Sequence, residues 1–564
     1  MRRTLAIIVA IAALMLPACI NTGSTTATST TAKWEPIPGA PFEEPEQIQS
    51  DNKTLEVQLV AGVRSGTKIN VSGSDLGVQP FTAYSGGRPL PTKLTGPTLR
   101  VKPGDTIKVT FVNQLGTGAR TNIHYHGLHV DPKEIGDNIF RTFDNGKTYQ
   151  SEVTLPDNHR LGTYWYHVHY HGISDEQVMG GLAGLLIVEG IEQLLPPKLR
   201  NVPQRQLAFQ AIQTCIQPQG NPPPPLQCGD SIVGQKHINF NNVPSTRLVN
   251  GLYQPTFSMK SGQYELWRLA NTSSDVFYLI RLEGHEFNVI AESGTAVSDI
   301  SARSELLLPP GQRFDVLVLG GSPGQDRRQH RLLSLPYAQH ADGNLNPRPV
   351  PTSAETLATV TVTAADPGAA AAPALPEGLV PEQDLSNPAV VEGLFSTPDV
   401  IHRRFRFLYG SRPFRGLIQV WNEEKQAWEG EAFKPDMMPI ANPVVGTVEE
   451  WTLENHTSDD HPFHIHVNDF QVLSVNGRPY DANGLQDVVN IPKQYRNGEG
   501  KVVPGEVVIR SEFTDFTGWF VFHCHILQHE DLGMMATVQV RANAKAPTTP
   551  PPEVHGSMPG HGAS

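Results

Sequence analysis

Trp519-Phe-Val-Phe-His523-Cys524-His525-Ile-Leu-Gln-His529-Glu530-Asp531-Leu-Gly-Met534-Met535 is the stretch from which the rest of the chain is read. Aromatic and β-branched residues follow Gly518 with nothing to break a sheet, so the stretch starts as a strand. Successive strand side chains point to opposite faces. Cys524 therefore faces one way, and His523 and His525 the other. His529 and Met534 follow Cys524 by five and ten residues, close enough to fold back onto its sulfur. A thiolate, an imidazole and a thioether describe a blue-copper site that lacks only a second His. The pair of imidazoles on the opposite face suits a different metal centre. One tripeptide thus touches two sites, and Cys524 can pass an electron between them through bonds.

The missing ligands lie upstream. In His461-Pro-Phe-His464-Ile-His466, His464 and His466 share a face, while His461 stands apart across Pro462. Further pairs occur at His124-Tyr-His126 and His167-Val-His169, so four His-X-His pairs supply eight imidazoles and His461 completes the blue-copper set. A single such pair is most simply a surface or core feature. Four of them beside a spaced Cys-His-Met set point to copper.

With these motifs the sequence resembles the multicopper oxidases, a family that includes laccases, bilirubin oxidases and bacterial cuprous oxidases. The resemblance covers about residues 53–541. It implies four copper ions: one type 1, one type 2 and two type 3. His461, Cys524 and His529 become the equatorial type 1 ligands with Met534 axial. His124 and His464 become the type 2 ligands, and His126, His167, His169, His466, His523 and His525 hold the type 3 pair. The reaction implied is four one-electron oxidations of a reducing substrate, coupled to reduction of dioxygen to water. That reduction needs protons, so acids near the cluster are expected. Glu530 matches the family's proton-relay glutamate. Asp137, in Gly136-Asp137-Asn138, matches its acidic partner, though its distance from His126 differs by two residues from some relatives. Asp131, Glu134, Asp459 and Asp460 find no role.

The chain of 564 residues is too long for one core, and its 50 Gly and 48 Pro suit a loop-rich all-β protein. A turn with Gly, a strand and an Asn recur at Val101–Asn113, Met259–Asn271 and Val444–Asn455. Each is followed by another apolar strand, expected at Asn122–Val130, Val276–Ile290 and Pro462–Val475. The spacing suits three β-sandwiches of one kind; the resemblance makes them cupredoxin-like Greek-key domains. Their expected bounds are 53–192, 200–365 and 391–542, with an Ala/Pro-rich linker over 366–390 and a disordered tail over 543–564 carrying His555, Met558 and His561. Gly162-Thr-Tyr-Trp-Tyr-His167-Val168-His169 aligns with Gly518–His525, and Val168 stands where Cys524 does. The first domain therefore keeps imidazoles but has no type 1 site. The middle domain has no His pair; it is expected to space the outer two and to help wall the substrate side. The cluster must lie where the outer domains face each other.

Residues 1–18 read as an exported leader: Arg2 and Arg3, an apolar run from Leu5 to Leu16, then small residues. Leu16-Pro-Ala-Cys19 resembles a lipobox, which makes Cys19 a lipid-bearing first residue and 19–52 a flexible tether. The cell envelope is the expected location, with the lipid as the membrane contact. Cys215 and Cys228 are then expected to form a disulfide. A net charge of −12 with no basic cluster disfavours nucleic acid. A monomer is expected. The partners are dioxygen and a small-molecule reductant or Cu(I). Only nine Met are present and none form a run, which favours phenols and aromatic amines, with cuprous oxidation second. A copper-binding electron carrier without turnover is the reading from another class; eight cluster histidines argue against it.

Overall fold

The computed structural model describes residues 33–34, 38–62, 68–71, 74–77, 80–91, 93–213, 215–216, 227–228, 245–321, 328–341, 353–366, 368, 371–381, 385, 400–410, 415–480 and 483–552. Strands dominate among the described residues, and the six larger sheets pair into three facing couples.

The strand Thr106–Asn113 shows why. Its burial alternates strictly, with Ile107, Val109 and Phe111 inward and Thr106, Lys108 and Thr110 outward. It lies between Thr54–Ala61 and Thr148–Thr154 in one sheet of the first sandwich. The facing sheet runs His124–His126, Gly162–His167, Ala183–Val188, Gly96–Val101, Gln47–Gln49. Here the alternation disappears: Gly162–His167 and Ala183–Val188 are buried at every position. A sheet that normally wets its outer face is covered on both sides, because other domains pack on it. Tyr164 Oη donates to the carbonyl of Gly294 in the middle domain (2.7 Å), and the Thr163 hydroxyl donates to Asp315. The middle sandwich pairs a six-stranded sheet holding Tyr264–Asn271 and Arg313–Leu319 with a five-stranded one. The last pairs a seven-stranded sheet with the four strands Val488–Ile491, His461–Ile465, Gly518–Cys524 and Met535–Val540.

The Asn that ends each repeated strand does the same work three times. Asn113 donates to the carbonyls of Ala119 and Phe143, Asn271 to those of Val276 and Leu308, and Asn455 to those of Asp459 and Ile491. Each side-chain oxygen accepts the N–H two residues on, from Leu115, Ser273 and Thr457. A buried amide that satisfies otherwise stranded backbone groups closes the turn out of each strand.

Some expectations change. The strands that follow the Asn turns are broken. Only His124–His126 forms in the first domain, since the chain turns at Gly127; the others split into Tyr278–Leu282 with Phe287–Glu292, and His461–Ile465 with Phe470–Val475. The tether and tail are partly docked. Gln47–Gln49 adds to the first sandwich beside Thr98–Arg100, Ile48 is buried, and Phe42 packs on Phe257 of the middle domain. Residues 38–52 therefore have apolar anchors and an open sheet edge to join. At the other end Trp519 Nε1 donates to the carbonyl of Thr549 (2.9 Å) and Thr549 N–H to Gln539, fixing 543–552 on the last domain. Linker residues also adhere, as Leu379 N–H donates to Val297 in the middle domain. Cys215 stands opposite Cys228 in a short antiparallel pair, but their side chains, the leader with Cys19, and residues 553–564 lie outside the described residues.

Asn271→Ala removes three of these hydrogen bonds, and a fourth from the Ser273 hydroxyl, in the domain that carries no His-X-His pair. At about 1–3 kcal/mol for each buried group left unsatisfied, metal-free protein should lose at least about 2 kcal/mol. A calorimetric melting temperature unchanged from wild type would contradict this role.

Candidate metal centres

The strand Gly518–Cys524 runs into a short helix, Leu527–Asp531, and returns as Met535–Val540. The hairpin brings His529 back to Cys524, and the neighbouring strand His461–Ile465 supplies His461. His461 Nδ1 lies 3.3 Å and His529 Nδ1 3.6 Å from Cys524 Sγ. Met534 is wholly buried in the same core cluster as Cys524, and the Cys524 N–H donates to the Met534 carbonyl (3.1 Å). The outward nitrogens are both engaged. His461 Nε2 sits 2.8 Å from Thr457 Oγ1, and His529 Nε2 3.2 Å from Tyr409 Oη. Those bonds leave both Nδ1 atoms to face the sulfur. Burial pushes the Cys524 thiol well above its ordinary range, so without a cation it stays protonated. A soft metal that displaces the proton fits this set of two imidazoles and one sulfur with a nearby thioether.

On the other face of the same strand, eight imidazoles meet between the outer domains. His169 Nε2 is 3.1 Å from His523 Nε2, and His525 Nε2 is 3.2 Å from His126 Nδ1. His124 stacks on His466 and His126 on His464, each pair with centroids 3.7 Å apart. His167 Nδ1 donates to the carbonyl of Val168, His523 Nδ1 to that of Cys524, and His464 Nδ1 to that of Asp487. These bonds orient the rings and leave the opposite nitrogens inward. His124 Nε2, His167 Nε2, His464 Nε2 and both nitrogens of His466 are buried without a hydrogen-bond partner. Buried polar atoms are rarely left open in a native protein. Burial, reinforced by neighbouring imidazoles, holds His124, His126, His169, His464, His466 and His525 well below the ordinary histidine range. Burial lowers His167 to about 3 and His523 to about 4. Neutral rings with inward lone pairs are what a cationic metal cluster requires. Ligand atoms of His124, His464 and His466 lie within 4.8 Å of one another, as do those of His124, His126 and His167, and of His169, His466 and His523.

Both expected acids reach this cluster. His124 Nδ1 donates to Asp137 (2.9 Å), which also accepts the Tyr125 N–H; burial pushes the Asp137 carboxyl up to about 8. Glu530 turns away from the sulfur although His529 precedes it, since successive helix residues diverge by roughly 100°. Its oxygens lie 3.4 Å from His169 Nδ1 and 3.6 Å from His523 Nδ1, and Ser174 Oγ donates to it (3.1 Å). Burial, then the adjacent Asp531, hold Glu530 well above the ordinary glutamate range.

Other groups at the sites carry no motif. Asp459, without a role in the sequence, accepts from Tyr409 Oη (2.7 Å) and pairs with His340 (2.8 Å). Burial works to raise its carboxyl, but the His340 hydrogen bond and charge hold it below its ordinary range. Arg313 and Asp487, distant in sequence from every histidine pair, form a buried bidentate ion pair against His126. Only the Thr-X-Asp spacing ahead of His461 offered a sequence signal for any of these.

Sequence models described as multicopper oxidase match residues 90–193, 227–326 and 414–544, together more than half of the chain. A multicopper oxidase from Staphylococcus haemolyticus is 26% identical over 463 residues, covering 79% of this chain and 82% of that protein. A laccase from Bacillus stratosphericus is 25% identical over 524 residues, covering 83% and 92%. Among solved structures, a multicopper oxidase from Campylobacter jejuni, described as a metallo-oxidase, superposes with a TM-score of 0.67 at 20% identity, over 90% of this chain and 96% of that one. The last likeness is one of fold, and identifies the three sandwiches as cupredoxin-like. With three matched domains in order and histidines and cysteine gathered into buried metal-binding groups, the chain belongs to the multicopper oxidase family of copper-dependent oxidoreductases.

Proposed function

We propose that the protein oxidises a small reducing substrate beside His529 and reduces dioxygen to water at the eight-histidine cluster. His461, Cys524, His529 and Met534 would hold type 1 copper, His124 and His464 type 2, and His126, His167, His169, His466, His523 and His525 the type 3 pair. Bound copper supplies one-electron redox chemistry and the dioxygen site. The observation that carries this reading is Cys524: its sulfur faces His461 and His529, while its sequence neighbours His523 and His525 face the cluster. One residue joins the two groups covalently.

Phenols and aromatic amines are the preferred substrate class. Tyr409, in contact with His529, and Tyr337 offer partly buried aromatic surface, held by their hydroxyls on the buried carboxylates of Asp459 and Asp460. A second reading, oxidation of Cu(I), draws on Met437 and the half-exposed Met438. They follow Phe433, whose N–H donates to the carbonyl of Gly533 beside Met534. Dioxygen uptake by copper-loaded protein against phenols, aromatic amines and Cu(I) separates the two: turnover on phenols above that on Cu(I) is expected, and the reverse order replaces the first reading with the second. The chain is proposed to act as a monomer in the cell envelope, held by a lipid on Cys19.

Glu530 and Asp137 would deliver protons at different rings of the cluster, Glu530 at His169 and His523 and Asp137 at His124. Glu530→Gln keeps size and hydrogen bonding but removes the acid. Blue colour and anaerobic reduction by substrate should survive, while turnover falls roughly a hundred- to ten-thousand-fold, with reoxidation by dioxygen as the slowed step. Reoxidation at the wild-type rate with slow uptake of electrons would move Glu530 to the type 1 site.

A further inference from the structure

The middle domain contributes no histidine to the cluster, yet its chain enters the wall. The turn Pro309–Arg313 reaches between the outer domains. A Cβ on Gly311, at φ +86°, would come within 3.0 Å of His126 and His525, so only glycine fits there. Two residues on, the fully buried Arg313 extends its guanidinium. Its Nη1 and Nη2 donate to the two oxygens of Asp487 (2.8 and 2.9 Å), Nη1 also donates to the carbonyl of Gly311, and Nε donates to the carbonyl of Thr163 in the first domain. Gly127 leaves the room for this pair, since a Cβ there would lie 2.3 Å from Asp487 and 2.6 Å from Arg313.

Asp487 belongs to the last domain and touches the cluster twice. Its carbonyl accepts from His464 Nδ1 (2.8 Å), and its carboxylate lies 3.4 Å from His126 Nε2. Ligand atoms of His126, His464 and Asp487 all lie within 4.8 Å of one another, as close as the all-histidine groups. By distance alone Asp487 qualifies as a metal ligand. What sets it apart is the bidentate guanidinium, which occupies both carboxylate oxygens with fixed N–H donors.

We propose that Arg313 is a positioning residue that keeps Asp487 off the metal, so that the cluster is ligated by imidazole alone. The inference rests on the copper-cluster reading above. A free carboxylate here would add a hard anionic ligand beside His126 and His464 and favour a different metal environment. The same clasp ties Thr163, Arg313 and Asp487, one from each domain, and so couples the metal-free middle domain to ligand geometry.

The test uses the copper-loaded full chain as wild type, Arg313→Met, Asp487→Asn and Arg313→Met/Asp487→Asn. Copper content, the near-ultraviolet band of the coupled type 3 pair, the type 2 electron paramagnetic resonance signal and the blue band are read for each. Arg313→Met should keep the blue band while losing most of the coupled-pair band and shifting the type 2 signal. The double variant, with no carboxylate left to intrude, should regain both, and Asp487→Asn should keep them. A purely structural arginine would leave the double variant as impaired as Arg313→Met, and that result overturns the proposal. So does an unaltered coupled-pair band in Arg313→Met, or its loss in Asp487→Asn, which would make Asp487 itself a ligand. If Arg313→Met does not fold, having stranded a buried carboxylate, the double variant decides: a wild-type band supports the proposal and an absent one ends it. Absence of the band from wild type would instead remove the cluster reading.

Discussion

Eight uncharged imidazoles are buried between two β-sandwiches with several nitrogens open toward one another. Burying polar groups without partners is costly, so the rest of the molecule must hold these rings in place until a metal completes them. It does so by engaging the far side of half of them. Backbone carbonyls of Val168, Cys524 and Asp487 fix three rings, and the Asp137 carboxyl fixes a fourth. Asn122 braces the backbone, donating to the carbonyls of Ile139 and His169 and accepting the His169 N–H. Metal binding would then add to stability as well as function, because the ligands are assembled only when the outer domains are docked.

The same constraint explains the packing. The strands carrying His167 and His523 are buried on both faces, one toward their own core and one toward the neighbouring domain. Docking is reinforced away from the histidines. Asp531, on the last domain, accepts the backbone N–H groups of Gly172, Ser174 and Asp175 at the start of the helix Ser174–Met179 on the first. Its neighbour Glu530 is thereby directed to the cluster, while His529 remains at the sulfur. One short helix thus serves the domain interface and carries one residue toward the histidine cluster and its neighbour toward the Cys524 sulfur.

Much of this was legible because it depends on local periodicity. A strand alternates, so His523-Cys524-His525 must divide between two faces; a His-X-His pair must share one. The repeated Gly–strand–Asn pattern was legible too, since a buried Asn at a strand end answers a backbone need that recurs in every copy. What the sequence did not show depends on contacts between distant segments. Arg313 and Asp487 are 174 residues apart and neither sits in a periodic or ligand-like pattern. Tyr409 reaches His529 from 120 residues upstream. The docking of 38–52 and 543–552 was hidden for a related reason: their composition is that of a solvated segment, and a few anchors such as Ile48 and Phe42, and the acceptor carbonyl of Thr549, decide otherwise. Asp137 lay between these cases, suggested by a motif and placed in contact with His124 by the fold.

The assignment of two separate metal centres to one tripeptide is tested most directly by anomalous X-ray scattering from crystals of copper-loaded protein, measured above and below the copper absorption edge. One peak bounded by His461, Cys524 and His529, and three among the eight histidines between the outer domains, are expected. Copper absent from the Cys524 site, or fewer than three peaks in a fully loaded cluster, would contradict the assignment.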